Sequence, residues 1–230
     1  MEHELLRVNF SHPVPLFPLP NCVLLPHATI PLHIFEPRYR EMTRASLDSR
    51  GLIAMATFDG EAWKTDYEGT PPLRPYVCVG YIVKHDRLDD GRYHLLLQGV
   101  CRARIINEVE STPYRQAVLE PADTSHAMEI DLDDHRQQIE DFLRHDTLKS
   151  LKIVQSIHQW LTSEVPTTAV VDLTIMAICE ETEQRYEMLA ETDPVARATW
   201  LERLLARTRH TIEIAERFGS GEGEDGIFLN

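Results

Sequence analysis

Ile30-Pro31-Leu32-His33-Ile34-Phe35-Glu36-Pro37-Arg38-Tyr39-Arg40 carries the chain from a strand into a helix. His33 and Ile34 alternate across the strand portion, and Pro31, which has no backbone donor, marks that strand as short or as an edge. Glu36-Pro37 then suits a helix start, because proline is tolerated at the first helical position. The pattern predicts a helix to about Leu47 with Tyr39, Met42 and Ser46 on one face. Phe17, Leu19, Leu25, Ile34 and Phe35 are the expected core here, each worth about 1.5–3 kcal/mol when buried.

Upstream, Pro13, Pro15, Pro18, Pro20 and Pro26 punctuate the opening, so its strands are expected to be short or at an edge rather than central. Downstream, Gly51 stops the helix and Leu52–Thr57 reads as a buried strand. Tyr76–His85 and Arg92–Ile106 read as a hairpin around the tight-turn dipeptide Asp90-Gly91. Gly99 interrupts the second strand and predicts a bulge or bend that lets it serve two sides of a small barrel. Tyr114–Leu119 can add a further strand. Pro121–His126 reads as a linker.

Beyond it the period changes to that of helices. Leu132, His135, Ile139, Phe142 and Leu143 share a stripe, as do Leu151, Val154, Ile157 and Leu161. Val170–Ile178 is apolar on most faces and predicts a central helix, and a short helix is expected over Glu181–Ala190. Asp193-Pro194 opens a last long helix through Leu201, Leu205 and Ile212. Gly219–Gly226 reads as a mobile acidic tail. The division expected is residues 1–122 β-rich, 123–217 helical and 218–230 tail, an α+β chain.

A formal net charge of -14 disfavours nucleic acid and anionic membrane surfaces alike. No apolar run reaches the ~18–20 residues of a membrane span, and the amino terminus lacks the pattern of a signal peptide. A cytoplasmic location is expected, and the four scattered cysteines read as small core residues. None of the lysines follows a glycine, which excludes a P-loop. No Gly-x-Ser-x-Gly elbow occurs, and Lys149-Ser150 are helix neighbours that point about 100° apart. No cofactor and no metal is called for. The one cluster with metal chemistry is His85, Asp86, Asp89, Asp90 and His94 around the hairpin turn, where a polar tip is the simpler reading.

Pro15-Leu16-Phe17-Pro18-Leu19, Val23-Leu24-Leu25-Pro26-His27 and the Ile30–Arg40 stretch together resemble the amino-terminal domain of Lon proteases. Val79-Gly80-Tyr81-Ile82-Val83, Asp90-Gly91-Arg92, Gln98-Gly99-Val100-Cys101-Arg102-Ala103-Arg104-Ile105 and Pro113-Tyr114 continue the match in order over most of residues 13–120. The helical half matches in pattern and position. The resemblance implies a PUA-like β pseudo-barrel followed by a helical bundle, and binding of unfolded or degron-bearing polypeptides. The ATPase and Ser-Lys peptidase domains of the full proteases are not expected here, so the chain reads as a non-enzymatic recognition module, with a protease or chaperone as candidate partner.

An apolar groove or an open barrel edge could receive the polypeptide. Candidate contacts are Phe35, Arg38, Tyr39, Trp160 and Trp200, since aromatic residues and arginine make the best anchors. Glu36, Pro37, Arg40, Gly99 and Arg102 read as structural, with Glu36, Arg38 and Arg40 as an ion-pair network that Arg102 or Arg104 could join. Two other readings stay open. One is a small-molecule or metal-dependent hydrolase at His85 and His94. The other is RNA binding on a groove of Arg92, Arg102, Arg104 and Arg115.

Overall fold

The computed structural model describes residues 8–67, 69–110, 113–123, 128–149, 157, 161 and 165–219. The chain forms two compact units: Met1–His126 with Ile178–Pro194, and Ala127–Ala177 with Val195–Asn230. The fold is α+β.

In the first unit, β1 (Val14–Pro18), β3 (Leu52–Ala56), β4 (Tyr76–Arg87), β5 (Tyr93–Val109) and β6 (Gln116–Pro121) close into a ring, because β6 pairs with both β1 and β5. β2 (Thr29–Ile34) is added on the outside of β5 alone and is an edge strand. The ring is narrow, and its interior is filled by small and branched side chains: Val14, Leu16, Ala54, Ala56, Val77, Val79, Ala103, Ala117 and Leu119 are all buried there.

β5 serves both sides of the ring, as the glycine predicts. Tyr93–Gln98 pair with β2, whereas Ala103–Val109 pair with β6. The change falls at a bulge, where Val79 pairs with Cys101 and Gly80 with Gly99. A side chain at Gly99 would collide with the Leu25 carbonyl, so the chain turns the corner only with glycine there.

The prolines act differently in the two opening strands. Pro31 lies in edge strand β2, where a missing donor costs least. β1 is short, yet it has neighbours on both sides, against expectation. It escapes the penalty by stagger: Val14 and Pro15 pair only with β6, and Leu16–Pro18 only with β3.

Helix α1 (Pro37–Leu47) begins where the junction predicts and buries Tyr39, Met42 and Ser46 on one face. Tyr39 meets Phe17 edge-on at 4.6 Å. Phe17, Leu25 and Ile34 are buried and Leu19 is half-buried, but Phe35 is 60% exposed. Its placement in the core is corrected: with Ile34 inside, strand alternation turns Phe35 outward.

The second unit holds α2 (Glu129–Arg144), α3 (Asp146–Lys149), α4 (Thr167–Ile178) and α6 (Pro194–Gly219). Leu132, Ile139 and Leu143 form the buried stripe of α2. α4 buries consecutive residues from Ala169 to Asp172, as a central helix must. Asp172 pairs with Arg197 at 3.6 Å, both almost fully buried, and His135 contacts the Glu202 carboxylate at 2.6 Å. The stripe from Leu151 to Leu161 lies, apart from Ile157 and Leu161, outside the described residues, as does the tail beyond Gly219.

α5 (Thr182–Ala190) falls within the stretch grouped with the helices, yet it packs on the strands. Tyr186 Oη accepts a hydrogen bond from the Tyr76 backbone N–H at 2.9 Å. Arg74 forms two hydrogen bonds to Glu183, at 2.7 and 2.8 Å, and lies 3.5 Å over the Tyr186 ring. Arg102, 2% exposed, donates to the Met188 carbonyl at 3.3 Å.

Candidate functional site

Beyond the closed ring, β2 and the turn-proximal halves of β4 and β5 form a three-stranded flap. Cross-strand register places Pro31, Leu96 and Lys84 in one row, and His33, His94 and Asp86 in the next, on a common face. These two rows line a concavity of about 430 Å³. Rings continue along its rim: His33 lies 4.8 Å from His94 and 6.0 Å from Phe35, edge-on to both. Leu96 and Phe35 are exposed apolar side chains, and the outer edge of β2 has no strand beside it among the described residues.

The rest of the junction motif holds this face in place. Arg38 donates to Glu36 at 3.0 Å and to the Tyr67 carbonyl at 3.3 Å, and its guanidinium lies 4.6 Å from the Tyr39 ring and 4.9 Å from the Tyr67 ring. Tyr67 Oη donates to Glu36 at 3.2 Å. The motif therefore clamps the long β3–β4 loop to the start of α1. Burial, and then the Glu36 charge, pushes the Tyr67 hydroxyl up, and burial foremost pushes that of Tyr39 up as well. Arg40 covers the hairpin turn, where Gly91 (φ 80°) leaves no room for a side chain beside the guanidinium.

Of the residues expected to touch a ligand, Phe35 is free to do so and Arg38 is partly shielded by its own contacts. Tyr39, 4% exposed, is a core residue that orients the helix. Trp160 lies outside the described residues, and Trp200 is half-buried on α6 in the other unit. Glu36 takes Arg38 and Tyr67 as its partners rather than Arg102 or Arg104: Arg102 is buried against Met188, and Arg104 bonds Glu120 at 2.7 Å.

The histidine pair that the alternative hydrolase reading needs is not assembled at the hairpin. Arg87 pairs with Tyr93, so a five-residue loop closes the hairpin, and His94 lies opposite Asp86 while His85 lies opposite Leu95. His85 and His94 thus face opposite sides. Among the described residues no group of three or more His, Cys, Asp or Glu could hold a metal. The arginines of the RNA reading form no free basic groove: Arg92 pairs with Asp90, Arg104 with Glu120 and Arg115 with Glu108, and Arg102 is buried. Sequence alone missed His33 as a ring partner of Phe35, Leu96 as an exposed residue of the same flap, and Trp63 altogether. Strand alternation could have found the first two.

Residues 13–207 match the family model of the ATP-dependent protease La (LON) substrate-binding domain. The chain belongs to this Lon substrate-binding domain family. A Lon protease of Chloroflexus aggregans is 26% identical over 93% of this chain, and one of Desulfosudis oleivorans 34% identical over 45% of it. The chain spans 26% and 13% of those two Lon proteases' lengths. The Lon N-terminal domain protein from Xanthomonas campestris superposes with a TM-score of 0.57 at 25% identity, covering 85% of this chain and 98% of that one. The N-terminal domain of a Mycobacterium avium complex Lon protease shares the Lon-domain fold with a TM-score of 0.62 at 14% identity, with the same coverages. No helix among the described residues is long and apolar enough to cross a membrane.

Proposed function

We propose that this chain recognises extended segments of unfolded or degron-bearing polypeptide on the flap formed by β2, β5 and β4. The observation that carries the reading is the exposed row of Phe35, His33 and His94 beside the open edge of β2. An edge strand offers backbone pairing that is indifferent to sequence, and neighbouring pockets select side chains. Pro31 interrupts the free edge, so a bound segment pairs with only part of it and relies on Phe35 and Leu96 for apolar contact. The domain family supports a role in substrate recognition. On this reading the chain acts in the cytoplasm without catalytic chemistry of its own, as an adaptor that presents polypeptides to a protease or chaperone.

The test is fluorescence anisotropy of a labelled, reduced and carboxymethylated protein that cannot refold, titrated with the full chain. Binding should weaken about tenfold or more in Phe35→Asp and in Leu96→Asp, both surface changes that leave the circular dichroism unchanged. Equal binding by wild type and both variants removes the flap from the site.

A further inference from the structure

The loop between β3 and β4 forms a second concavity on the same unit, with a volume of about 630 Å³. Its wall is aromatic. Trp63, half-buried, stacks on the buried ring of Phe58 at 5.9 Å and 16°. Its charge is lopsided: Asp59, Glu61 and Glu183 face Lys64 and Arg74. Both cations are already engaged. Arg74 is held by both oxygens of Glu183 and by the Tyr186 ring, and Lys64 by Glu61. Lys64 approaches the Trp63 ring only to 6.0 Å, the outer limit of a cation–π contact. Asp59 has no hydrogen-bonded cation among the described residues, although its charge also acts on Arg74. A half-open indole in the same concavity as a carboxylate that no cation hydrogen-bonds fits a planar guanidinium, which can stack and donate at once.

We propose that this concavity is a subsite for an arginine side chain of the bound polypeptide, its guanidinium stacked on Trp63 and donating to Asp59. The inference rests on the polypeptide-recognition reading and adds a selectivity to it. Ring contacts run from Tyr67, bonded to Glu36 beside Phe35, through Phe58 to Trp63, so one scaffold braces both surfaces. The formal net charge of -14 adds long-range attraction for cationic segments. Lysine matches the charge without the planar stack, and citrulline matches the shape without the charge.

The experiment compares a labelled twelve-residue peptide of Leu, Ser and Gly carrying two arginines with the same peptide carrying lysine, citrulline or glutamate. Each is titrated against the full chain by anisotropy. The arginine peptide should bind about five- to tenfold more tightly than the citrulline peptide, with lysine between them. Asp59→Asn, an exposed change that leaves the fold intact, and Trp63→Leu should each remove most of that preference. Equal binding of the arginine and citrulline peptides overturns the subsite, as does a preference that survives both variants. If the peptides bind alike and Phe35→Asp still weakens them all, the subsite falls and the recognition reading stands. If neither the peptides nor an unfolded protein binds, both fall.

Discussion

Phe35, just before α1, and Tyr39, in its first turn, face opposite environments: Phe35 is 60% exposed, and Tyr39, packed on Phe17, is 4% exposed. The junction motif thus holds one residue for the surface and one for the core, and truncation should separate them. Tyr39→Ala should cost about 3–5 kcal/mol of stability, as buried aromatic truncations do. Phe35→Ala should stay within about 0.5 kcal/mol of wild type. Urea melts of the two variants check this.

Gly99 is the corner at which β5 leaves β2 for β6. Its missing side chain makes room for the Leu25 carbonyl, a backbone atom that cannot rotate away. Gly99→Ala should therefore destabilise the chain by about 1–3 kcal/mol, the cost of forced overpacking. Thermal melting with the same substitution at Gly60, where nothing lies within 4 Å, separates steric cost from backbone strain.

Arg102 ties α5 to the barrel by its bond to the Met188 carbonyl. Arg102→Ala should destabilise by about 3 kcal/mol, since a buried polar group loses its partner and a cavity opens. Hydrogen exchange should quicken in Thr182–Ala190 ahead of α2. Equal acceleration in both helices would mean that Arg102 is no specific tether for α5.

Burial, and to a lesser degree the Asp123 charge, holds the Cys101 thiol up at about 11, and burial raises the Tyr39 hydroxyl too. In the unfolded chain a thiol titrates near ~8.5 and a tyrosine near ~10. Between the unfolded and folded values the unfolded state holds fewer protons, so stability falls as pH rises. The urea midpoint should decline from pH 8 to pH 10.5, and Cys101→Ala should flatten part of that slope.

Much of the fold was legible because local rules and tertiary packing agree. Proline after Glu36 starts α1, the Tyr39–Met42–Ser46 stripe faces inward, and Gly99 bends β5. The site was less legible, for reasons of parity and partner choice. A two-residue turn at Asp90-Gly91 would pair Arg87 with His94 and place His85 on the same face as His94. The observed pairing of Arg87 with Tyr93 shifts the register by one and puts Asp86 and His33 there instead. Phe35 was misplaced because alternation was not carried past Ile34. Periodicity shows that α5 has an apolar face but not what covers it, so its packing on the barrel could not be read. Trp63 carries no pattern at all; only the folded loop brings it onto Phe58.

The most direct test of polypeptide recognition on the flap is residue-resolved hydrogen exchange of the full chain with and without a saturating unfolded protein. Slower exchange is expected at the β2 amides of Thr29, Ile30, Leu32, His33 and Ile34, where the strand has an open edge, with no change in α2. Unchanged exchange across β2 while the polypeptide is bound, with protection confined to the second unit, would contradict it.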